Sequence, residues 1–320
     1  MKQFNKRSTL ATLAITFALS IGGIIATTHR AHAAQPTVNL QTAAPFAILA
    51  GTGVTDVPTS AITGNVGVSP TTGASITGLT CAEVTGTIYT VDAAGPACRV
   101  VNGPLLVAAQ NDLTTAYTDA AGRTPVTTVP TELGGTTKTP GVYASASTTF
   151  GITAGAGPLI LDAQGDPTAV FIFEMNSGAT GLTAGPASQV QLTGGAQACN
   201  VFWRLNSATI DTTAVFKGTI LALTSITVNN GANIEGRLLA RNGNVTLISD
   251  TITKPTCAAA PVTPAATSAS AGATSATTPT LPNTGIPPQH KGNSLWSILI
   301  PVGSIIGFSS FCLIRRKRAA

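Results

Sequence analysis

Hydroxyl side chains recur in this 320-residue chain at a spacing that only a repeating backbone makes meaningful. Residues 201–218 lie over residues 219–236, and five of the 18 offsets are identical: Leu205/Leu223, Ser207/Ser225, Thr209/Thr227, Ala214/Ala232 and Gly218/Gly236. A third copy starts at Arg237 with Leu239 in phase. It slips by one residue near Gly243, so that Thr246 follows Thr227, and recovers phase at Ile252. Each unit is β-rich and too short to bury a core of its own, so the copies must stack as a solenoid. Side chains alternate along a strand, so Ala208/Ile210, Ile226/Val228 and Val245/Leu247 point in. Ser207/Thr209, Ser225/Thr227 and Asn244/Thr246 then point out, stacked at roughly 4.8 Å. Thr149/Thr153 and Thr180/Thr183 extend the same face upstream. Such a column does no covalent chemistry. Its methyls restrict water, its hydroxyls anchor it at regular intervals, and a surface repeating in two directions can match a crystal. Threonine also favours exposed strands for packing reasons alone; the scarcity of charge around this column is what sets it apart.

Other chemistries lose their residues once the two ends are set aside. Lys2, Lys6 and Arg7 precede an uncharged run from Ser8 to Thr28, and Ala31-His32-Ala33 fits a small-x-small cleavage site, which predicts a secretory signal peptide over 1–33. His29, His32 and His290 all lie in segments expected to be removed, which excludes histidine-based acid–base catalysis and histidine-ligated metals. The formal charge of +5 is carried by the same ends: between Ala34 and Thr284 remain eight Lys and Arg against twelve Asp and Glu, a balance of −4. Nucleic-acid binding thereby loses its only support. Asp162 and Asp166 flank a turn and read as structural. No cofactor or metal is expected.

Cys81, Cys98, Cys199 and Cys257 remain in the mature chain, with no CxxC spacing, and an even count in an exported chain favours disulfides. The expected pairs are Cys81 with Cys98 and Cys199 with Cys257. In the chain-entropy model these loops contribute roughly 3 and 4 kcal/mol as upper values.

Short strands dominate the region 34–257: Phe46–Ala50, Ala61–Val68, Gly141–Ala144, Leu159–Asp162, Val170–Met175, Val190–Thr193 and then the coils. Each coil is read as three strands. The first is apolar (Val201–Leu205, Gly218–Leu223, Gly236–Ala240). The second carries the hydroxyls (Ser207–Asp211, Ser225–Asn229, Asn244–Ser249), and the third closes the turn (Ala214–Lys217, Ala232–Glu235, Asp250–Thr253). One segment differs. Leu106, Ala109, Leu113, Ala116, Tyr117 and Ala120 recur at helical spacing between Pro104 and Gly122, predicting one amphipathic helix that covers the apolar face of the solenoid.

Beyond the coils, residues 258–280 are built from Ala, Pro, Val, Thr, Ser and Gly, apart from Cys257 just before them, and predict a disordered stalk that reaches on the order of 70 Å. Residues 281–320 follow with Leu281-Pro282-Asn283-Thr284-Gly285, a polar spacer, an apolar stretch from Leu295 to Ile314 and Arg315-Arg316-Lys317-Arg318. About 20 apolar residues span a bilayer, and a basic cluster holds the cytoplasmic end. In this order the elements resemble the sortase sorting signal of Gram-positive surface proteins. The resemblance implies cleavage between Thr284 and Gly285, joining of the new carboxylate to cell-wall peptidoglycan, and a secreted, wall-attached protein whose only membrane contact is the precursor's C-terminal span.

The folded region resembles a known family. Leu40-Gln41-Thr42-Ala43-Ala44-Pro45-Phe46-Ala47-Ile48-Leu49-Ala50 and Ser60-Ala61-Ile62-Thr63-Gly64-Asn65-Val66-Gly67-Val68-Ser69-Pro70 look like its opening, and residues 112–123 like its helix. Pro140-Gly141-Val142-Tyr143, Gly165-Asp166-Pro167, residues 169–173, Cys199-Asn200-Val201-Phe202-Trp203, residues 218–222 and residues 236–241 match its middle and closing coils. This is the microbial ice-binding protein family. The resemblance implies a mostly β, discontinuous triangular β-solenoid with one long flanking helix, its N-terminal strands completing the core beside the C-terminal coils. It implies ice as the partner, bound through the second-strand face. Active members often carry Thr-Ala/Gly-x-Thr/Asn strings there; Thr77-Gly78-Leu79-Thr80 and Thr180-Gly181-Leu182-Thr183 fit, whereas Asp211 and Asn244 depart from the pattern.

The resulting expectation is a monomeric, wall-displayed ice-binding protein with ice-contacting residues Thr149, Thr153, Thr180, Thr183, Ser207, Thr209, Ser225, Thr227 and Thr246. The alternative is an adhesin that uses the same solenoid on a glycan or protein. Sugars favour aromatic platforms, and only Trp203 is available; alternation along its strand does not fix whether it faces out. A solenoid polysaccharide lyase needs clustered Arg, Lys and acids. Arg237 and Arg241, the nearest to such a pair, read as solvated charges at coil edges.

Overall fold

In the computed structural model, residues 35–175 and 181–258 are described, and within them strands wind into three parallel sheets around one apolar core. The segments read as signal peptide (1–33), most of the stalk (258–280) and sorting signal (281–320) lie outside the described residues. Among the described residues no helix is long and apolar enough to cross a membrane.

The strands form three faces of the solenoid, the largest sheet turning the corner from the covered face onto part of the third. The covered face runs, strand beside strand, through Val100–Val101, Ile88–Thr90, Asn65–Val68, Phe46–Ala50, the second halves of Asn233–Ala240 and Val215–Ala222, then Val201–Leu205, Phe171–Glu174, Gly141–Ser145 and Val126–Val129. The hydroxyl face orders Thr149–Ile152, Gly181–Ala184, Ala208–Ile210, Ile226–Val228, Asn244–Ile248, Gly53–Val57 and Ile76–Thr77. The third face carries Thr137–Lys138, Leu159–Asp162, Val190–Thr193, residues 215–217 and 233–235, Thr251–Thr253, Ala61–Thr63 and Val84–Thr85.

The stack is not in chain order. Phe46–Ala50 pairs with Asn233–Ala240, Gly53–Val57 with Asn244–Ile248, and Ala61–Thr63 with Thr251–Thr253, all parallel. The N-terminal coils therefore continue the stack past the last C-terminal coil. The chain then returns to the far end of the stack through helix α1 (Gly103–Ala121), whose 19 residues span about 28 Å. The Asn102 carboxamide caps its first turn, accepting from the Leu105 N–H at 3.1 Å, and Pro104 occupies an early position where its missing N–H costs nothing. The buried residues of α1 are Leu106, Ala109, Leu113, Ala116, Tyr117 and Ala120, all six of the residues that the spacing singles out. They pack on Phe46, Leu49, Val142, Val170, Ile172, Phe202, Leu221 and Leu239 of the covered face.

Register differs from the 18-residue alignment at one corner. Leu205 sits beside Ala222, not Leu223, and Ala222 beside Ala240, while Ala208, Ile226 and Val245 remain in line. The connection from covered to hydroxyl face thus lengthens by one residue per coil: residues 206–207, then 223–225, then 241–244. The slip visible near Gly243 is the second of two insertions at the same place. At the opposite corner Gly218 and Gly236 stack, and the strands expected to end there run through as Val215–Ala222 and Asn233–Ala240. A Cβ on Gly236 would lie 1.9 Å from the Gly218 carbonyl oxygen, and Gly218 holds φ +111°. Ala61–Val68 conversely breaks in two at Gly64, φ +133°.

Inside the upstream coils an aromatic ladder fills the prism. Tyr143, Phe173, Trp203 and Phe216 follow one another with ring centroids 5.3, 4.1 and 5.1 Å apart, and Phe150 meets Phe173 edge-on at 5.9 Å. Trp203 is fully buried and its indole N–H donates to the Lys217 carbonyl at 3.0 Å. The Cys81–Cys98 and Cys199–Cys257 disulfides are both formed.

Gly236→Ala should lower stability by about 1–3 kcal/mol, the cost of forcing atoms into a filled site. Thermal unfolding of the variant beside the parent checks it, and an unchanged midpoint would refute the close approach of the two corners.

Candidate functional site

The backbone registers bring one residue from each strand of the hydroxyl face into a single row: Gly151, Thr183, Thr209, Thr227, Thr246, Thr55, Thr77. Six consecutive threonines on neighbouring parallel strands span about 24 Å. Between them, inward-facing Ile152, Leu182, Ala184, Ala208, Ile210, Ile226, Val228, Val245, Leu247, Val54 and Ile76 are buried, so each strand is anchored by its apolar side while the threonine side stays in reach of solvent. Branching at Cβ restricts threonine to few rotamers, which keeps the methyls and hydroxyls aligned along the row.

The next row toward the covered face reads Thr149, Gly181, Ser207, Ser225, Asn244, Gly53 and Ser75, following the same registers. Neither row holds a charged side chain. The hydroxyls of Thr183, Thr209 and Thr227 make no hydrogen bond to another protein group among the described residues, while the Thr77 hydroxyl reaches Thr55 at 3.4 Å and the Asn244 carboxamide donates to Thr246 at 3.0 Å. The threonine oxygens in mid-face are left for water.

Several expected residues fall elsewhere. Thr149 lies in the second row, beside Gly181, and the main row is continued on its strand by Gly151. Thr153 stands past the end of that strand, where its hydroxyl and N–H are both taken by the Glu132 carboxylate. Burial alone would raise the Glu132 pKa, yet hydrogen bonds from Thr153, Gly134 and Leu133 hold it below the usual range. Thr180 lies outside the described residues. Thr80 is turned away to cap a short helical turn with Glu83. Asp211 is held at the corner by the Thr212 N–H and the Asn229 amide. Thr55 and Thr77 are the members that the repeat could not supply, because their strands join the row from the other end of the chain. The one local signal was the Thr77-Gly78-Leu79-Thr80 string, of which the structure uses the first residue.

One question left open by alternation is answered, and one expectation about other side chains changes. Trp203 offers no aromatic platform. Arg237 is not a solvated edge charge: it is 8% exposed, donating to the Ala44 carbonyl at 3.0 Å and the Thr219 hydroxyl at 3.3 Å, and burial pushes its pKa down to about 10. Arg241 instead lies over the Tyr117 ring, 4.9 Å from its centre, with Arg204 also on that ring at 4.4 Å. Asp162 and Asp166 bind backbone N–H groups of their own turns, at Gln164 and Thr168.

The matching model is that of the ice-binding-like family, and it covers residues 48–253. The chain belongs to this family. An ice-binding protein of Flavobacterium frigoris (strain PS1) is 45% identical over 222 residues, 68% of this chain and 76% of the relative. An ice-binding protein of a Colwellia species is 43% identical over 231 residues, 68% of this chain and 84% of its own length. Among solved structures, an ice binding protein from an Antarctic biological consortium superposes with a TM-score of 0.61 at 39% identity, over 70% of this chain and 93% of that one. The DUF3494 domain of Shewanella frigidimarina ice-binding protein_1 gives 0.62 at 30% identity, over 70% and 99%.

In this family member the hydroxyl face crosses the joint between N- and C-terminal coils, and buried acids lie at the edge of that joint. The Ser60 hydroxyl donates to Asp56 at 2.6 Å and accepts from the Asp250 N–H at 3.0 Å, while Glu83 accepts from the Ser60 N–H at 2.9 Å. Asp250 receives the N–H groups of Ala232 and Ile248. Burial, with some repulsion from Asp56, pushes the Asp250 pKa up to about 6. Burial also raises the Asp56 pKa, and the nearby Glu83 carboxylate adds to the rise. Glu83 moves the other way: burial would raise it, but the Thr80 and Ser60 donors prevail. A carboxyl whose folded pKa is raised binds more protons folded than unfolded, so stability declines as pH rises through about 4 to 6 and is level above. The domain should be about 1 kcal/mol more stable at pH 5 than at pH 8, a rise of roughly 2–4 °C in unfolding midpoint. Calorimetry at the two pH values decides it; a higher midpoint at pH 8 would mean that Asp250 is not desolvated.

Proposed function

We propose that this protein adsorbs to ice through the row of Thr183, Thr209, Thr227, Thr246, Thr55 and Thr77, flanked by Ser207, Ser225 and Asn244. The observation that carries the reading is the row itself: six threonines on consecutive strands, without charge, on a family fold whose relatives are named ice-binding proteins. A single hydroxyl–water hydrogen bond contributes only about 0.5–1.5 kcal/mol net. Repetition changes the balance, because the strands and rotamers are already fixed and further ordering costs little. Water held between methyls at the strand spacing then joins a growing lattice as a layer rather than as separate molecules. No step of this kind breaks a covalent bond, and the protein is read as a non-enzyme.

The test uses residues 34–258 with Thr209→Tyr/Thr227→Tyr beside the parent. The parent should show thermal hysteresis and shape ice crystals. The variant should lose most of both while its unfolding midpoint stays within about 2 °C, as surface changes do. A folded parent without hysteresis or crystal shaping would remove ice as the target.

The second part of the reading concerns place. The leader over 1–33 and the Leu281-Pro282-Asn283-Thr284-Gly285 sequence with its apolar and basic tail support export and sortase-mediated attachment to peptidoglycan. Wall fractionation of cells producing the full chain should find it covalently wall-bound. Thr284→Ala should shift most of it to the membrane and medium, and an unchanged wall fraction would rule the sorting signal out.

A further inference from the structure

We propose that the Cys199–Cys257 disulfide is a mechanical mount that carries tension from the C-terminal tail into the middle of the solenoid and keeps the coils that hold half of the threonine row from being peeled from their C-terminal end. The proposal rests on the reading that the protein is held from its C-terminal side.

The connectivity fixes where the tail leaves. Cys199 lies in the short turn Ala198–Asn200, the corner between Val190–Thr193 of the third face and Val201–Leu205 of the covered face. In a three-faced prism that corner is the ridge opposite the hydroxyl face. After Thr251–Thr253 the chain does not begin another coil. The Lys254 N–H donates to the Thr63 carbonyl at 2.9 Å, and the tail then turns back along the ridge to Cys199. Gln197 grips the next residue on both sides, accepting from the Ala258 N–H at 2.6 Å and donating to its carbonyl at 3.2 Å. The same side chain donates to the Pro167 carbonyl at 2.7 Å, tying the exit to a coil still further upstream. The tail therefore leaves residue 258 on the ridge opposite the threonines.

Topology makes the bridge mechanical. A terminal strand pulled from its end peels, with its ladder bonds breaking one after another. Without the bridge, tension at Ala258 would first strip Thr251–Thr253 and remove Asp250 from the joint. It would then strip Asn244–Ile248, the strand that connects Gly53–Val57 to the rest of the hydroxyl face. The threonine row would be cut between Thr227 and Thr55. With the bridge, tension crosses from Cys257 to Cys199 and enters the chain at the turn before Val201–Leu205, upstream of the strands that would otherwise peel. The covalent loop of 58 residues' separation, which contains Thr209, Thr227 and Thr246, cannot be peeled from its C-terminal end while the bridge holds.

The full chain, gripped at its C-terminus and at an azide-bearing residue introduced at position 55, is stretched in an optical trap. With the bridge intact, the loop should contribute no length to the first opening. When reductant is perfused onto the same folded molecule, the first opening should move to lower force and release up to about 200 Å from the loop. Reduction of Cys81–Cys98 releases only about 60 Å, so length separates the two bridges. Cys199→Ser/Cys257→Ser, if it folds, should match the reduced protein with Cys81–Cys98 intact. Equal first-opening force and length with and without the bridge would overturn the proposal. That outcome is independent of ice binding and of wall attachment, which hysteresis and fractionation report separately.

Discussion

The parallel pairing of Gly53–Val57 with Asn244–Ile248 is the contact on which the rest of the structure depends. A solenoid has an unpaired edge at each end, and an exposed edge is a template for unwanted pairing. Here the last C-terminal coil is covered by the chain's own beginning, nearly two hundred residues away in sequence. That closure joins two blocks of strands into one stack and lets a single row of threonines run unbroken across both. It also makes α1 necessary, since a chain that starts in mid-stack must travel to the far end before it can wind back. The loop-closure entropy of such a non-local joint must be met before its contacts form, which favours slow folding.

The buried polar groups cluster where the two blocks meet. Arg237 donates to Ala44 on the N-terminal block and to Thr219 on the neighbouring C-terminal strand. Ser60 and Asp250 tie the blocks together at the next corner, with Asp56 and Glu83 behind them. Each group is costly to bury, and an apolar joint of the same area would be more forgiving. It would also tolerate a slip. Because a one-residue shift turns every side chain of a strand to the other face, a misregistered joint would put Val54 outside and Thr55 inside. The apolar pattern thus opposes a one-residue slip but would permit a two-residue one, which the directional hydrogen bonds at two corners oppose.

Much of this could be read in the sequence because period and position carried it. The helix announced itself through six apolar positions and two end signals, and all six are buried. The inward and outward sets of the three coils followed from alternation alone. Cys199 and Cys257 bracket the repeats, so their pairing followed from the repeat's extent. What escaped is equally physical. Corner lengths do not affect the apolar pattern of the strands they join, so the one-residue growth from 206–207 to 241–244 was legible only as a slip. Thr149 and Thr153 were placed by spacing, but their strand register depends on Gly181, whose φ of +137° and contact with the Ser207 carbonyl leave no room for a side chain. Thr55 and Thr77 belong to the row only through the joint, and no local signal encodes a partner so distant.

The two sides of each strand in the hydroxyl face are specialised in opposite ways, and the inner side limits the outer. Upstream, the prism is filled by Tyr143, Phe150, Phe173, Trp203 and Phe216, whereas around Thr246 and Thr55 the inward residues are Val245, Leu247 and Val54. Stacked rings and branched aliphatics both hold the parallel strands at a constant separation, because close-packed interiors resist small displacements. A row of hydroxyls is useful to an ordered water layer only while that separation is constant. The interior therefore contributes to the surface chemistry without touching it. A cavity made beneath Thr209 or Thr227 would loosen the spacing of a row whose own residues are unchanged.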